Sequence, residues 1–290
     1  WNWEMTLLTG QAKYADLFEW QLYNAASVGL GLEGRSYLYN NPLACRGGIS
    51  RRSWYQVPCC PSNLSRTWAD LGKYLYSRDA DGLWVHQYVG SRTQVDLGVP
   101  VGVKVESGLP WGGDVTIHLS PQAPVASTLH LRIPSWTDRY LLRVNGQAFE
   151  TGSPLEEIGG SEEPASGYAP QQAHYFPLTR TWSPGDIVEI EFEMPVTSRR
   201  AHRKVKSVRG QVALTRGPLV YCLESVDNSG LDLFQTRIDP SSVRAGFDPD
   251  LLGGIWVLRG ETVQGRAFTG IPYAYWANRG ESQMAVWVVA

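Results

Sequence analysis

Two adjacent cysteines, Cys59 and Cys60, lie between Pro58 and Pro61 in the segment Val-Pro-Cys-Cys-Pro-Ser-Asn. Pro61 predicts the first turn of a helix, because the backbone N–H groups there need no helical partner. Thiols close to a helix N-terminus lie near the positive end of the helix dipole, which favours the thiolate. The thiolate is the form that attacks carbon or binds metal, so the pair could supply a nucleophile or half of a zinc site.

A purely structural interpretation of the pair stays open, because free cysteines are among the most frequently buried residues. A disulfide between the two neighbours would be strained. Cys222 lies in an apolar segment and is expected in the core, whereas Cys45 lies in a loop and could be a free thiol or a chance neighbour of the site. Four cysteines in 290 residues do not make a disulfide framework.

No carboxylate is singled out by its spacing as an acid/base partner for these thiols. Glu4, Glu19 and Glu33 fall in the predicted helical region, and we expect none of them to be catalytic. The histidines fall in the region predicted to be β, without metal-ligand spacing to one another. We expect all five to be structural: His86, His118, His130, His174 and His202.

Helices are predicted on both sides of a long loop. Apolar residues at near-helical spacing predict one helix that ends near Gly10 and a second over 12–24. Another helix is predicted over 61–76. Residues 25–58 between them predict a structured loop with a short hairpin around Gly34, and long loops inside domains are often functional.

From residue 83 onward the hydrophobic period changes to two, which predicts strands. Short strands separated by Gly, Pro and Asn-Gly turns are typical of antiparallel β-sandwiches. Asn145-Gly146 is the strongest hairpin signal. Residues 151–172 form a polar insertion that predicts a mobile surface loop. The predicted strands are 83–89, 92–97, 101–106, 114–119, 127–133, 140–144, 186–193, 210–215, 218–224, 254–258 and 283–289.

The composition is that of a globular protein, with 43% hydrophobic and 19% charged residues. A formal net charge of -2 argues against a nucleic-acid partner, which usually requires a basic face. The basic run at 199–206 fits a strand edge or a solvated turn. Neither a membrane-spanning apolar stretch nor a signal peptide is visible, so no membrane partner is expected. The compartment is left open, with the bacterial cytoplasm or periplasm expected.

These motifs resemble glycoside hydrolase family 127, the β-L-arabinofuranosidases, and the related family 146. The resemblance rests on Cys59-Cys60-Pro61-Ser62-Asn63, followed by a helix and then by Leu83-Trp84-Val85-His86-Gln87-Tyr88. It spans nearly the whole chain. Other similar segments, in chain order, are Trp1-Asn2-Trp3, Lys13-Tyr14-Ala15-Asp16, Leu22-Tyr23-Asn24, residues 37–43, residues 131–136, Val144-Asn145-Gly146, residues 216–221 and residues 276–280.

The resemblance implies an α+β multidomain chain, in which the tail of an (α/α)6 barrel is followed by antiparallel β-sandwich domains. We expect the truncated C-terminal part of the catalytic barrel in residues 1–82 and a β-sandwich in 83–195. Residues 196–290 are expected to form a second β-rich domain or a continuation of the sandwich.

The resemblance also implies a bacterial, retaining, exo-acting enzyme that releases L-arabinose from β-L-arabinofuranosides. Carried over to this chain, Cys59 is the nucleophile and a zinc ligand, Cys60 is a second ligand of Zn2+, and Tyr39 lies near the substrate. The expected partner is an arabinose-containing oligosaccharide or glycan, and a homo-oligomer is compatible with the sequence.

The family's other two zinc ligands, from a Glu-x-Cys motif, and its acid/base glutamate are expected upstream of Trp1. Because the chain begins at Trp1 rather than Met, we expect a processed or truncated piece. Because these three residues are missing from it, we expect the piece to be inactive alone.

Two other classes of function stay open. Twelve Trp and fourteen Tyr suit a non-catalytic module that binds carbohydrate or acts as a scaffold, and scaffolding is the commoner role. A thiol-redox or zinc-storage protein built on the cysteine pair is the third interpretation, and it predicts bound zinc without sugar hydrolysis.

Overall fold

The alternating apolar and polar side chains after residue 82 fold into strands. In the computed structural model, which describes residues 1–152 and 173–290, most regular structure is β-sheet, and the α-helices lie before residue 70. The described residues separate into two units. We call residues 1–19, 69–152 and 173–194 the first unit, and residues 20–68 and 195–290 the second unit.

The helices begin with α1 (Asn2–Thr9) and α2 (Ala12–Trp20). Gly10 separates them with a left-handed φ of 64°, and its N–H donates to the Thr6 carbonyl, so the predicted helix pair is confirmed. A π-helical segment (Gln21–Ala26) and a 3-10 turn (Ser27–Gly29) follow α2.

Helix α3 (Cys59–Ala69) begins two residues earlier and ends sooner than predicted. Cys59 and Cys60 therefore lie inside its first turn rather than before it. The Ser62 N–H donates to the Pro58 carbonyl over 2.9 Å, which starts the helical ladder ahead of Pro61. The chain after α3 tightens into a 3-10 turn (Leu71–Tyr74) and then enters a strand, which ends the predicted helix before residue 76.

The strands pair antiparallel, apart from one parallel pair between β3 and β7. In chain order they are β1 (Ala44–Cys45), β2 (Tyr76–Arg78), β3 (Gly82–Val85), β4 (Ser91–Asp96), β5 (Pro100–Ser107), β6 (Asp114–Pro121), β7 (Val125–Ile133), β8 (Tyr140–Val144), β9 (Gln147–Gly152), β10 (His174–Trp182), β11 (Ile187–Phe192), β12 (Val196–Arg199), β13 (Gln211–Arg216), β14 (Leu219–Glu224), β15 (Ile238–Asp248), β16 (Ile255–Thr262), β17 (Ala267–Pro272), β18 (Met284–Ala285) and β19 (Trp287–Val289).

The first unit contains a six-stranded sheet, in the order β4-β5-β6-β11-β8-β9, and a four-stranded sheet, in the order β10-β7-β3-β2. One hydrophobic core takes side chains from both sheets, including Leu83, Ile117, Leu129 and Trp182, all almost fully buried. Two sheets that share a core form a β-sandwich. Asn145 and Gly146 both have positive φ in the turn between β8 and β9, as predicted for that hairpin.

The second unit is built on a nine-stranded sheet with the main order β1-β18-β14-β17-β16-β15. Strand β13 pairs with β12, β14 and β19 beside this path. Cys222 on β14 is fully buried, as predicted. Cys45 was predicted to lie in a loop, but it lies in strand β1, where it pairs with Met284 of β18, and it is buried.

Several strands were not predicted, and prolines explain two of them. Pro177 lies within β10 and Pro240 within β15, and proline lowers the strand signal because it cannot donate to the ladder. Both strands lie at the edge of their sheets, where this loss is tolerated. The predicted strand 83–89 ends at Val85, and 283–289 divides into β18 and β19. The predicted insertion 151–172 lies outside the described residues, except for the end of β9.

No helix within the described ranges combines the length and the apolar character that crossing a membrane requires. The basic residues from Arg200 to Lys206 are mostly exposed and lie in turns, as predicted for this run.

Candidate active site

The first turn of α3 presents both cysteines to solvent. Cys59 and Cys60 are exposed free thiols, so they are not the buried structural pair that stayed open from the sequence. The Ser62 hydroxyl and the Asn63 amide both donate to the Cys59 carbonyl, over 3.2 and 2.9 Å, and hold this turn. The two sulfurs lie 3.7 Å apart.

The predicted substrate residue, Tyr39, lies against the predicted nucleophile. Its Oη is 3.2 Å from the Cys59 Sγ, although 20 residues separate the two in sequence. This hydrogen bond is the largest cause of a lowered pKa of the Cys59 thiol, and further bonds from the Cys60 thiol and from backbone N–H groups act in the same direction. The same bond raises the pKa of Tyr39, so the tyrosine keeps its proton and acts as the donor.

The loop that carries Tyr39 is fixed by backbone bridges. Tyr37 pairs with Leu30 on one side and with Arg52 on the other, where the two exchange hydrogen bonds of 2.8 and 3.0 Å. The bridge between Leu30 and Tyr37 closes the turn predicted around Gly34. The Tyr55 hydroxyl accepts from the Tyr39 N–H and donates to the Tyr37 carbonyl, which fixes the backbone beside the reactive sulfur.

Two further contacts place this loop and α3. The Arg51 guanidinium donates to the carbonyls of Val28, over 3.0 Å, and Trp276, over 2.9 Å. Gly29 packs so closely on α3 that an added Cβ would lie 2.9 Å from the Leu64 side chain. Because glycine has no side chain, α3 and its two cysteines can lie close to the loop at position 29.

A cavity of about 680 Å³ adjoins Tyr39, and its lining comes from residues 38–57. Trp54 and Val57 in this lining are 51% and 66% exposed, so part of the lining is an apolar surface that faces solvent. The Cys59 sulfur contacts this lining through Tyr39. Cavities of this size suit small-molecule ligands. An activated thiol beside an open cavity with aromatic walls can attack an electrophilic carbon of a bound ligand.

Three family models match consecutive stretches of the chain. They are the β-L-arabinofuranosidase GH127 catalytic domain over residues 1–73, the GH127 middle domain over 82–194 and the glycoside hydrolase family 127 C-terminal domain over 196–289. The chain belongs to glycoside hydrolase family 127. The cysteine pair, α3 and Tyr39 all fall within the stretch that matches the catalytic domain.

Characterised and solved members of family 127 are similar over the full length of this chain. A non-reducing end β-L-arabinofuranosidase from Bifidobacterium longum subsp. longum is 32% identical, with 98% of this chain and 46% of the relative covered. The crystal structure of Ara127N, a GH127 β-L-arabinofuranosidase from Geobacillus stearothermophilus T6, has 34% identity and a TM-score of 0.86, covering 100% of this chain and 48% of that one.

A second solved structure, of a GH127 β-arabinofuranosidase, has 30% identity and a TM-score of 0.85, covering 99% of this chain and 47% of that one. The chain therefore spans about half the length of the family 127 relatives it matches.

The cysteine pair fits half of the zinc site that the family implies. Two sulfurs bound about 2.3 Å from a tetrahedral zinc ion lie about 3.8 Å apart, close to the spacing of Cys59 and Cys60. Within residues 1–152 and 173–290, no cluster of three or more His, Cys, Asp or Glu side chains could hold a metal ion. Among the described residues, the two sulfurs are therefore spaced as two ligands of one zinc ion would be, without a third candidate ligand grouped with them.

The carboxylates of the helical region differ in burial. Glu19 is buried in the first unit, where Arg132 and Trp136 donate to it. Glu4 and Glu33 are exposed. The sequence analysis missed Tyr55, Arg51 and Trp54, because nothing in the composition of the loop ranks one aromatic or arginine above another.

Proposed function

We propose that this family 127 chain carries the nucleophile of a retaining, exo-acting glycoside hydrolase that releases L-arabinose from β-L-arabinofuranosides. The observation that carries the proposal is the 3.2 Å contact between the Tyr39 Oη and the Cys59 Sγ in the first turn of α3. It supports Cys59 as the reacting group, because a thiol with a lowered pKa supplies more thiolate at neutral pH.

The first chemical step joins Cys59 to the sugar. The thiolate attacks the anomeric carbon, a carbon–sulfur bond forms, and the glycosidic carbon–oxygen bond breaks. The departing oxygen takes a proton from a carboxylic acid, which we assign to the glutamate expected upstream of Trp1.

The second step releases the sugar. Water attacks the same carbon and gives its proton to that carboxylate, and Cys59 leaves as the thiolate. Two inversions at one carbon retain its configuration. The Tyr39 hydroxyl donates to the Cys59 sulfur whenever that sulfur is a thiolate. Tyr39 therefore holds the sulfur in position before attack and after release.

Zinc is part of the proposal as a cofactor. Cys59 and Cys60 would hold it together with the Glu and Cys expected upstream, and its positive charge favours deprotonated thiols. The sulfur spacing of 3.7 Å supports this assignment.

We further propose that residues 1–82 are the tail of an (α/α)6 barrel, followed by β-rich domains over 83–195 and 196–290. The helices α1 to α3 support the barrel assignment, since they fall within the match to the family's catalytic domain. The substrate partner is an arabinose-containing oligosaccharide or glycan, and the similarity to the β-L-arabinofuranosidase of Bifidobacterium longum supports it.

The test uses these residues within a protein extended to the length of the relatives, with p-nitrophenyl β-L-arabinofuranoside as substrate. Cys59→Ser should lower kcat by about 10⁴-fold or more, as expected when a nucleophile is removed. Cys45→Ser is the matched control, because Cys45 is buried and its thiol donates to the Gly47 carbonyl, a bond that serine can replace. Full turnover by Cys59→Ser would overturn the assignment.

A further inference from the structure

A second cavity lies in the first unit, on the outer face of the four-stranded sheet. Side chains alternate across this sheet, so Leu83, Leu129 and Leu178 enter the core and their neighbours face outward. Trp84 on β3 and His130 on β7 are directly paired, and both side chains face outward. The cavity beside them measures about 540 Å³, within the range of small-molecule sites.

The rings of this cavity are held flat and fixed. Trp84 and His130 stack with their centroids 3.7 Å apart and their planes 8° from parallel. The Trp84 Nε1–H donates to Asp79 over 2.8 Å. Tyr175 meets Trp84 edge-on at 4.8 Å, and its hydroxyl lies 2.5 Å from the His86 Nδ1. A rigid aromatic surface of this kind binds apolar faces at low entropic cost.

Polar groups stand beside this aromatic surface. The turn between α1 and α2 brings Gln11 and Lys13 to the lining. The His130 Nε2 is buried and has no hydrogen-bond partner among the described residues. Leaving such a nitrogen unpaired costs about 1–3 kcal/mol, but because it is closed to solvent the polar groups open to a ligand are those of Gln11 and Lys13.

The lining excludes one class of ligand by its charge. Among its described residues there is no Asp or Glu, and the Lys13 ammonium already lies 5.0 Å from the Tyr14 ring. The Asp79 carboxylate beside Trp84 lies outside the lining and already accepts from the Trp84 indole and from the Asp81 and Gly82 N–H groups, so it is a poor cation ligand. One lysine engaged with a ring is a weak anion site. A ligand that suits this lining is uncharged. It has an apolar C–H face for the aromatic rings and hydroxyls for the hydrogen-bonding groups beside them.

We propose that this cavity is a non-catalytic binding site for one neutral sugar residue of a glycan, packed against the ring pair of Trp84 and His130 and held by hydrogen bonds from Gln11 and Lys13. None of its lining residues belongs to the proposed Cys59 site, so the two assignments stand or fall separately. Such a site would keep the chain on a polysaccharide between cleavage events.

The test is an NMR titration of the ¹⁵N-labelled 290-residue chain with a linear L-arabinofuranose tetrasaccharide. The Trp84 indole signal is assigned as the one lost in Trp84→Phe. It should shift saturably with a Kd of about 1 mM or below. Trp84→Leu should weaken binding at least about tenfold by calorimetry, which removes roughly 1.4 kcal/mol.

Lys13→Ala is a second variant in case Trp84→Leu disturbs the sheet, because it changes a residue on helix α2 instead. We expect Lys13→Ala to weaken binding severalfold. Trp54→Ala is the matched control, since Trp54 is an exposed tryptophan in the lining of the other cavity, and it should leave the Trp84 shift unchanged. A Trp84 signal that stays still up to about 20 mM sugar, twentyfold above that Kd, would overturn the proposal. Binding that Trp54→Ala abolishes and both other variants leave intact would overturn it as well.

Discussion

At the scale of single residues, the contact between Tyr39 and Cys59 makes a prediction about thiol reactivity in this chain alone. Because the tyrosine donates to the sulfur, the midpoint of the pH dependence of iodoacetamide alkylation at Cys59 should lie below that of an ordinary thiol. Tyr39→Phe removes the largest cause of the lowered pKa. It should move the midpoint to higher pH and slow alkylation severalfold at neutral pH.

Tyr37→Phe is the control for this reactivity, since its hydroxyl contacts only the Ser65 hydroxyl, at 3.5 Å, among the contacts described for it. Alkylation followed by peptide mass spectrometry separates Cys59 from Cys60. An unchanged midpoint in Tyr39→Phe would mean that the hydrogen bond does not tune the thiol.

A second residue, His86, makes stability depend on pH. Its ring is almost fully buried between the Ser77 hydroxyl, at 2.7 Å, and the Tyr175 hydroxyl, at 2.5 Å. Burial, aided by the charge of Arg132, lowers the pKa of His86 to about 3. The folded state therefore keeps this ring neutral at pH values where the unfolded chain, with a pKa near 6.5, takes up a proton.

The contribution of His86 to stability is complete above about pH 6.5 and is lost as the pH falls toward the folded pKa, at up to about 1.4 kcal/mol per pH unit. We expect His86→Gln to unfold more easily at pH 7 but with a shallower dependence between about pH 5 and 6.5, before carboxylates dominate. Urea unfolding across this window is the measurement. Equal slopes for the two proteins would contradict a buried neutral histidine.

Candidate site residues could be proposed from the sequence where a local rule applied. A helix N-terminus beside Pro61 is a local rule for an activated cysteine, and it led to Cys59 and Cys60. Tyr39 came from the resemblance to the family. The meeting of Tyr39 with Cys59, and the part that Tyr55 plays in it, depend on how a long loop closes, which no local periodicity records.

At the scale of elements, a buried ion network fastens the α2 helix within the first unit. Arg132 on β7 donates to Asp16 and Glu19, and the Trp136 indole donates to Glu19 over 2.7 Å. The side chains of Arg132, Asp16 and Glu19 are all almost fully buried. Removing one member of such a network leaves an uncompensated charge in the core.

Arg132→Met should therefore lower the free energy of unfolding by about 3–5 kcal/mol. Arg139→Met is the matched control, because Arg139 pairs with Glu193 while 72% of its side chain is exposed, and it should cost less than about 1 kcal/mol. Chemical denaturation of the chain compares the two. A loss in Arg132→Met no larger than in Arg139→Met would contradict a stabilising role for the network.

The same elements show how far sequence patterns reach. Strands with regular alternation, such as β5, β6 and β11, were predicted nearly at their true bounds. The edge strands β10 and β15 were missed because Pro177 and Pro240 read as breaks, and only their place at the edge of a sheet makes proline acceptable there. The helix α3 was placed two residues late, since Pro61 marks the first turn but not its first residue.

At the scale of the whole molecule, the proposed zinc assignment would take two thiol ligands from the described residues, among which no group of three or more His, Cys, Asp or Glu side chains could hold a metal ion. We expect this chain alone to release zinc readily to a competing chelator, whereas a protein extended to the length of the relatives should hold one ion tightly. Cys60→Ala should abolish retention in the longer protein, and Cys45→Ala should not. Tight one-to-one binding by the 290-residue chain would show that its ligand set is complete.

The central claim, that the Cys59 sulfur bonds to the sugar during catalysis, is tested most directly by trapping the intermediate. The longer protein would be quenched in acid during turnover of p-nitrophenyl β-L-arabinofuranoside, and its peptides would be analysed by mass spectrometry. We predict a single pentose attached to the peptide that begins helix α3, with the sugar on the Cys59 sulfur. A pentose found instead on a carboxylate side chain would contradict the account.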